Sequence, residues 1–144
     1  MKKVIFVCTG NTCRSPMAEI IAKKLWDGKA EVISRGFGAA GQPISTNSVL
    51  ALEKRGFKAE GHYSHTLTER ELAACDLVLT MTEGHKAAIL NAFPQLADKV
   101  FTLCEYAGIG GDIPDPYMCG ISEYDACCER IYACIKAINT DNWA

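Results

Sequence analysis

Val4-Ile5-Phe6-Val7-Cys8-Thr9-Gly10-Asn11-Thr12-Cys13-Arg14-Ser15-Pro16 decides the fold. Four apolar residues in succession read as a short strand buried on both faces. The strand runs into a cysteine. A loop containing glycine and asparagine follows, and Pro16 then fits the first turn of a helix, where its missing N–H costs nothing. Met17, Ile20, Ile21 and Leu25 recur at helical spacing and supply one apolar face. A strand–loop–helix unit of this kind puts the loop at the carboxyl end of the strand, where open α/β sheets bind ligands. Backbone N–H groups converge there with the positive end of the helix, and both favour an anion. Gly10 permits a positive φ or a close backbone approach. Asn11 tolerates left-handed geometry and bonds locally.

The chemistry follows from what surrounds that loop. Arg14 carries a planar fork matched to two phosphoryl oxygens. The field that favours an anion also favours the thiolate of Cys8, the nucleophilic form. Ser15 is placed to hydrogen-bond it. The Cys-x5-Arg spacing alone is weak, since this composition gives roughly 0.3 matches by chance. The strand before it and the helix after it carry the weight.

Outward from the loop, strands and helices alternate. Strands are expected near Lys3–Val7, Glu31–Ser34, Asp76–Met81 and Lys99–Thr102. Helices are expected from the loop to Asp27, over Ser45–Arg55 with a Ser45 cap, after the Thr68-x-x-Glu71 capping box, from Thr82 to Phe93, and after a Ser122 cap. The last helix has Tyr124, Cys127, Cys128, Ile131, Cys134, Ile135 and Ile138 on one face, which reads as core. This predicts a single-domain three-layer α/β fold over 1–144, a four-stranded parallel sheet with helices on both faces. Gly108–Gly120 is left as a long functional loop.

The chain has 144 residues, 49% of them hydrophobic, with net charge −2 and pI near 5.9. No basic cluster exceeds two residues, so neither nucleic acid nor an anionic membrane is an expected partner. Lys2-Lys3 precedes too few apolar residues for a signal peptide, and no stretch has the length of a transmembrane helix, so a cytoplasmic location is expected. The eight cysteines show no Cys-x-x-Cys and no zinc spacing with His62, His65 or His85. His62-x-x-His65 reads as polar packing in a loop. No metal and no cofactor is expected.

The loop residues Cys8, Gly10, Asn11, Cys13, Arg14, Ser15 and Pro16 match the Cys-x-Gly-Asn-x-Cys-Arg-Ser-Pro motif of the low-molecular-weight protein tyrosine phosphatase family. Asp115-Pro116-Tyr117 resembles its second motif, and Ala74–Thr82 is similar to the intervening segments. The run Cys8–Glu19, with Thr12 where phosphotyrosine enzymes commonly carry isoleucine, and Phe101–Tyr106 look most like the bacterial protein arginine phosphatase branch. One departure is Ser34-Arg35-Gly36-Phe37, where the family has Ser-Ala-Gly-Thr or a close variant. Arg35 is larger and charged, and bears on the pocket wall.

The resemblance implies cleavage through a cysteinyl-phosphate on phosphorylated protein substrates, with phosphate or another oxyanion seated in the loop of Thr9, Gly10, Asn11, Thr12, Cys13 and Ser15. Cys8, Arg14 and Asp115 would be catalytic. Asp115, held between Pro114 and Pro116, is the expected proton donor, although Pro-Asp-Pro also suits a plain turn. Tyr117 is expected to wall the phosphoryl slot, or else to be a partly buried loop aromatic, and Phe37 to form the opposite wall. Cys13 either forms a protective disulfide with Cys8 or packs as a small apolar residue. Phosphoarginine is the favoured substrate and phosphotyrosine the alternative. An arsenate reductase would need two closely spaced cysteines after the third strand, which are absent. A binding module without turnover would not need Cys8, Arg14 and Asp115 together.

Overall fold

A computed structural model describes residues 1–143. Four parallel strands form one sheet in the order β2-β1-β3-β4: β1 Lys2–Cys8, β2 Ala30–Gly36, β3 Leu77–Thr80 and β4 Val100–Thr102. The helices are α1 Arg14–Leu25, α2 Thr46–Lys54, α3 Glu69–Ala74, α4 Glu83–Ala92, α5 Leu103–Tyr106 and α6 Ile121–Ala137.

The central strand β1 explains the layering. Its side chains alternate between faces. Val4, Phe6 and Cys8 join Met17, Ile21, Leu52, Ile131 and Ile135 in a core under α1, α2 and α6. Ile5 and Val7 join Leu72, Val78, Ile89 and Val100 under α3 and α4. The expected three-layer fold is therefore present. Phe6 stacks on Trp26 at 5.9 Å between centroids, and Trp143 meets Trp26 edge-on at 4.9 Å, closing the first core at the amino end of the strands.

Local chemistry sets most boundaries as expected. The Ser45, Thr68 and Thr82 side chains accept from Ser48, Glu71 and His85 backbone N–H groups. Four details differ. β2 runs on to Gly36, because β1 pairs with it in full register up to Cys8↔Gly36. The short helix α5 was not anticipated, although Thr102 and Glu105 form a capping box. Gly120, not Ser122, is the N-cap of α6; the Ser122 hydroxyl donates to Glu123 instead. Leu25 is exposed, since the face that α1 buries, Met17, Ala18, Ile21 and Ala22, continues to Trp26 instead. The helical cysteines Cys127, Cys128 and Cys134 are buried as core residues.

Candidate active site

The Cys8–Ser15 loop joins the end of β1 to α1. Asn11 takes the left-handed turn, with φ 58°, and Gly10 does not. The close approach expected at Gly10 belongs instead to Gly36. A Cβ there would lie 2.8 Å from the Thr9 carbonyl oxygen and 2.9 Å from the Asn11 nitrogen. Only a glycine lets β2 support the loop at that distance.

The loop is braced by polar contacts from four directions. The Cys8 sulfur and Ser15 Oγ are 2.8 Å apart. Asn11 Nδ2 donates to Ser15 Oγ and to Ser34 Oγ, each at 2.9 Å. Ser34 in turn donates to Glu19 Oε1. Asn11 Oδ1 accepts from the His65 backbone at 3.0 Å, and His62 Nε2 lies 2.7 Å from the Asn11 carbonyl. His62 and His65 are thus polar packing, as expected, and the packing is specific to the loop. His85 Nε2 meets Thr9 Oγ1 at 2.9 Å, and its ring tilts against Phe37 at 5.6 Å. Burial, aided by the Arg14 charge, pushes the His85 pKa down to about 4, so the ring is neutral near pH 7.

Arg14 is buried and directed by the loop after α5. Its guanidinium donates to the Ile113 carbonyl at 3.0 Å and lies 3.6 Å from the half-exposed Asp115 carboxylate. The Tyr117 backbone N–H donates to the other Asp115 oxygen at 3.0 Å, which fixes the carboxylate by a local Asx contact. Arg14 and Ile113, 99 positions apart in the chain, therefore meet.

These groups line one open cleft of about 270 Å³, which includes Cys8, Thr9, Gly10, Thr12, Arg14, Asp115 and Tyr117. Cys13 is also at the cleft; its sulfur lies 3.4 Å from the buried Tyr124 hydroxyl. Burial and that contact push the Tyr124 pKa up to about 12, so the hydroxyl stays protonated. Larger hollows on the surface contain neither Cys8 nor Arg14.

Two expectations about the walls fail. Phe37 does not line the cleft: its ring tilts against His85, while its N–H and that of Gly38 both bond the Thr9 carbonyl and Gly38 lines the cleft. Arg35 does not bear on the pocket either. Its Nε pairs with Glu71 at 2.7 Å, beside α3. Sequence reasoning missed Gly36, His85, Glu19 and Ser34. Ser34 and Gly36 lie in the Ser34–Phe37 segment and Glu19 in the Cys8–Glu19 run, but neither stretch shows the role, because each residue acts on the loop through contacts made by the fold.

A buried thiol hydrogen-bonded to a serine, a fixed guanidinium and a carboxylate around one helix-capped anion loop can attack a phosphoryl group and manage the leaving-group proton. No helix among the described residues is long and apolar enough to cross a membrane. Residues 3–141 match the family model of low molecular weight phosphotyrosine protein phosphatases. A protein-arginine-phosphatase of Bacillus subtilis is 43% identical over 125 residues, 84% of this chain and 83% of that protein. The YwlE arginine phosphatase of Geobacillus stearothermophilus superposes with TM-score 0.89 at 37% identity, over 95% of this chain and 90% of that one. A Cys-to-Ser mutant of a YwlE arginine phosphatase with a phosphorylated active-site serine superposes with TM-score 0.87 at 37% identity, over 94% and 91%. The chain belongs to the low molecular weight phosphotyrosine protein phosphatase family and is a cysteine-based phosphatase.

Proposed function

We propose that the protein removes phosphate from arginine residues of proteins. Cys8 attacks phosphorus, forming a sulfur–phosphorus bond as the phosphorus–nitrogen bond of phosphoarginine breaks. Arg14 and the loop N–H groups hold the phosphoryl oxygens. Asp115 gives its proton to the departing guanidine nitrogen. It then takes a proton from the water that releases phosphate from Cys8. Ser15 stabilises the thiolate before attack and as it departs. Cys13 is the partner for a reversible disulfide that shields Cys8 from further oxidation. All eight cysteines are free, which suits the reducing cytoplasm.

The observation that carries the substrate assignment is Thr12 at the cleft. Its hydroxyl offers a hydrogen-bond partner to a guanidinium, where isoleucine would leave that donor unpaired. Asp115 adds a carboxylate suited to a cationic leaving group. The identity to named arginine phosphatases supports the same reading. A second reading, phosphotyrosine, is favoured by Tyr117, an exposed aromatic at the cleft able to stack on a substrate ring. The test is kcat/KM of the wild-type enzyme on two peptides that differ only in carrying phosphoarginine or phosphotyrosine. Higher efficiency on phosphoarginine is expected; the reverse order would establish the second reading.

A further inference from the structure

The surface beside the cleft carries apolar side chains that the fold does not use. Eight large hydrophobic side chains are exposed among the described residues, and four of them are Leu50, Tyr117, Met118 and Ile121. Single exposed hydrophobics are ordinary, but a contiguous group marks a contact surface. Met118 is 86% exposed and sits at φ 64°, an uncommon conformation for a residue with a long side chain. The Asp115–Gly120 loop thus presents the methionine to solvent at a cost in backbone energy.

Leu50 and Ile121 both line a groove of about 310 Å³ between α2 and the first turn of α6. Ala51, Ser122 and the Lys54–Asp125 pair complete its lining. The small Ala51 side chain leaves the floor low. The groove is held open by Arg55, which bonds Asp125 at 2.6 Å and Glu129 at 2.9 Å and so fixes the two helices against each other. A preformed apolar groove loses little freedom when filled.

Its position identifies the occupant. Tyr117 belongs to the cleft, and Ile121 lies four positions further along the chain, a span of about 14 Å at most. The same distance is covered by about four residues of extended polypeptide. The groove is therefore within reach of a protein substrate whose phosphorylated side chain enters the cleft. We infer that the Leu50–Ile121 groove is a docking subsite for an apolar side chain of the substrate polypeptide, within about four positions of the phosphorylated residue. Met118, exposed in the stretch between Tyr117 and Ile121, suits partners of varied sequence, since its side chain adapts to different apolar shapes. This inference rests on the proposed action on protein substrates, and applies to either phosphorylated residue.

The experiment compares nonapeptides with phosphoarginine at the centre of a serine–glycine background, with leucine placed in turn at each of the four positions on either side. In the wild type, leucine at one or more positions is expected to raise kcat/KM ~5–30-fold, the effect of burying part of a leucine side chain. Leu50→Ser and Ile121→Ser, on two different elements, should each abolish that gain while hydrolysis of para-nitrophenyl phosphate stays within about two-fold. That last readout also reports that each variant is folded. A gain that survives in both variants, or no gain at any position, would overturn the inference. So would a wild-type dimer in sedimentation that both variants dissolve without a change in peptide preference; the groove would then belong to a second copy. A leucine gain seen equally in phosphotyrosine peptides, with those peptides the better substrates, would sustain the groove while removing the phosphoarginine reading.

Discussion

Gly36→Ala tests whether β2 sets the position of the phosphate loop. The added Cβ would fall 2.8 Å from the Thr9 carbonyl oxygen, 2.9 Å from the Asn11 nitrogen and 3.0 Å from the Asn11 Cβ. The first two are backbone atoms, so no flexible side chain can swing away. Restoring ordinary contact, 3.4 Å or more, requires a relative shift of about 0.6 Å between β2 and the loop. Overpacking of this kind costs ~1–3 kcal/mol of stability. For a chain of this size, that lowers Tm by ~2–4 °C per kcal/mol. The larger consequence is for catalysis. A misplacement of ~1 Å can cost ~100-fold in rate, so a shift of about 0.6 Å should lower kcat/KM on para-nitrophenyl phosphate on the order of ten-fold. The assay is steady-state turnover of that substrate, with thermal melting in parallel. Gly110→Ala is the control, because a Cβ at that position meets nothing within 4 Å. A Gly36→Ala enzyme with wild-type kcat/KM would show that the loop does not depend on this contact.

Cys8→Ser should abolish turnover while the fold and phosphate binding persist; substantial residual activity would remove the covalent mechanism. Asp115→Asn should slow cleavage ~10²–10⁴-fold for poor leaving groups and less for activated aryl phosphates, and rates unchanged from wild type on every substrate would mean that the acid lies elsewhere. His85 gives a pH test of stability. Its folded pKa, about 4, lies below its ordinary value of 6.5, so the unfolded chain binds the extra proton between those values. Its contribution is therefore present above pH 6.5 and is lost as pH falls toward 4. His85→Gln should flatten that part of the urea-midpoint profile, and a profile of unchanged slope would contradict the neutral, buried ring.

The sequence displayed what is local. The Val4–Val7 run, the loop residues and Pro16 specified a strand, an anion site and a helix start, because each depends on neighbours in the chain. Caps at Ser45, Thr68 and Thr82 were legible for the same reason. Contacts made across the fold were not. Gly36 looked like any glycine at a strand end, and its necessity comes from a loop 25 positions away in sequence that lies against it. His62, His65 and His85 read as undistinguished polar residues, yet all three bond the phosphate loop. Phe37 was misassigned because an aromatic residue near the loop fits a pocket wall by type alone. Its ring instead tilts against His85 at 5.6 Å, a contact made across the fold. Asp115 is the instructive exception: it is remote in sequence, and only the paired motifs tied it to Cys8 and Arg14 before the 3.6 Å contact with Arg14 was seen.

Thr12 offers the most direct test of the central claim, the phosphoarginine assignment. Threonine and isoleucine share a branched outline, so Thr12→Ile should keep the loop folded. The exchange removes a hydroxyl that can pair with a guanidinium donor, and an unpaired donor costs ~1–3 kcal/mol, about five- to 150-fold. The measurement is the ratio of kcat/KM on paired phosphoarginine and phosphotyrosine peptides, for wild type and Thr12→Ile together. A wild-type ratio above one that falls in Thr12→Ile by about that factor, with the phosphotyrosine efficiency rising, is the expected result. A ratio that does not change would contradict the account and make phosphotyrosine the better reading.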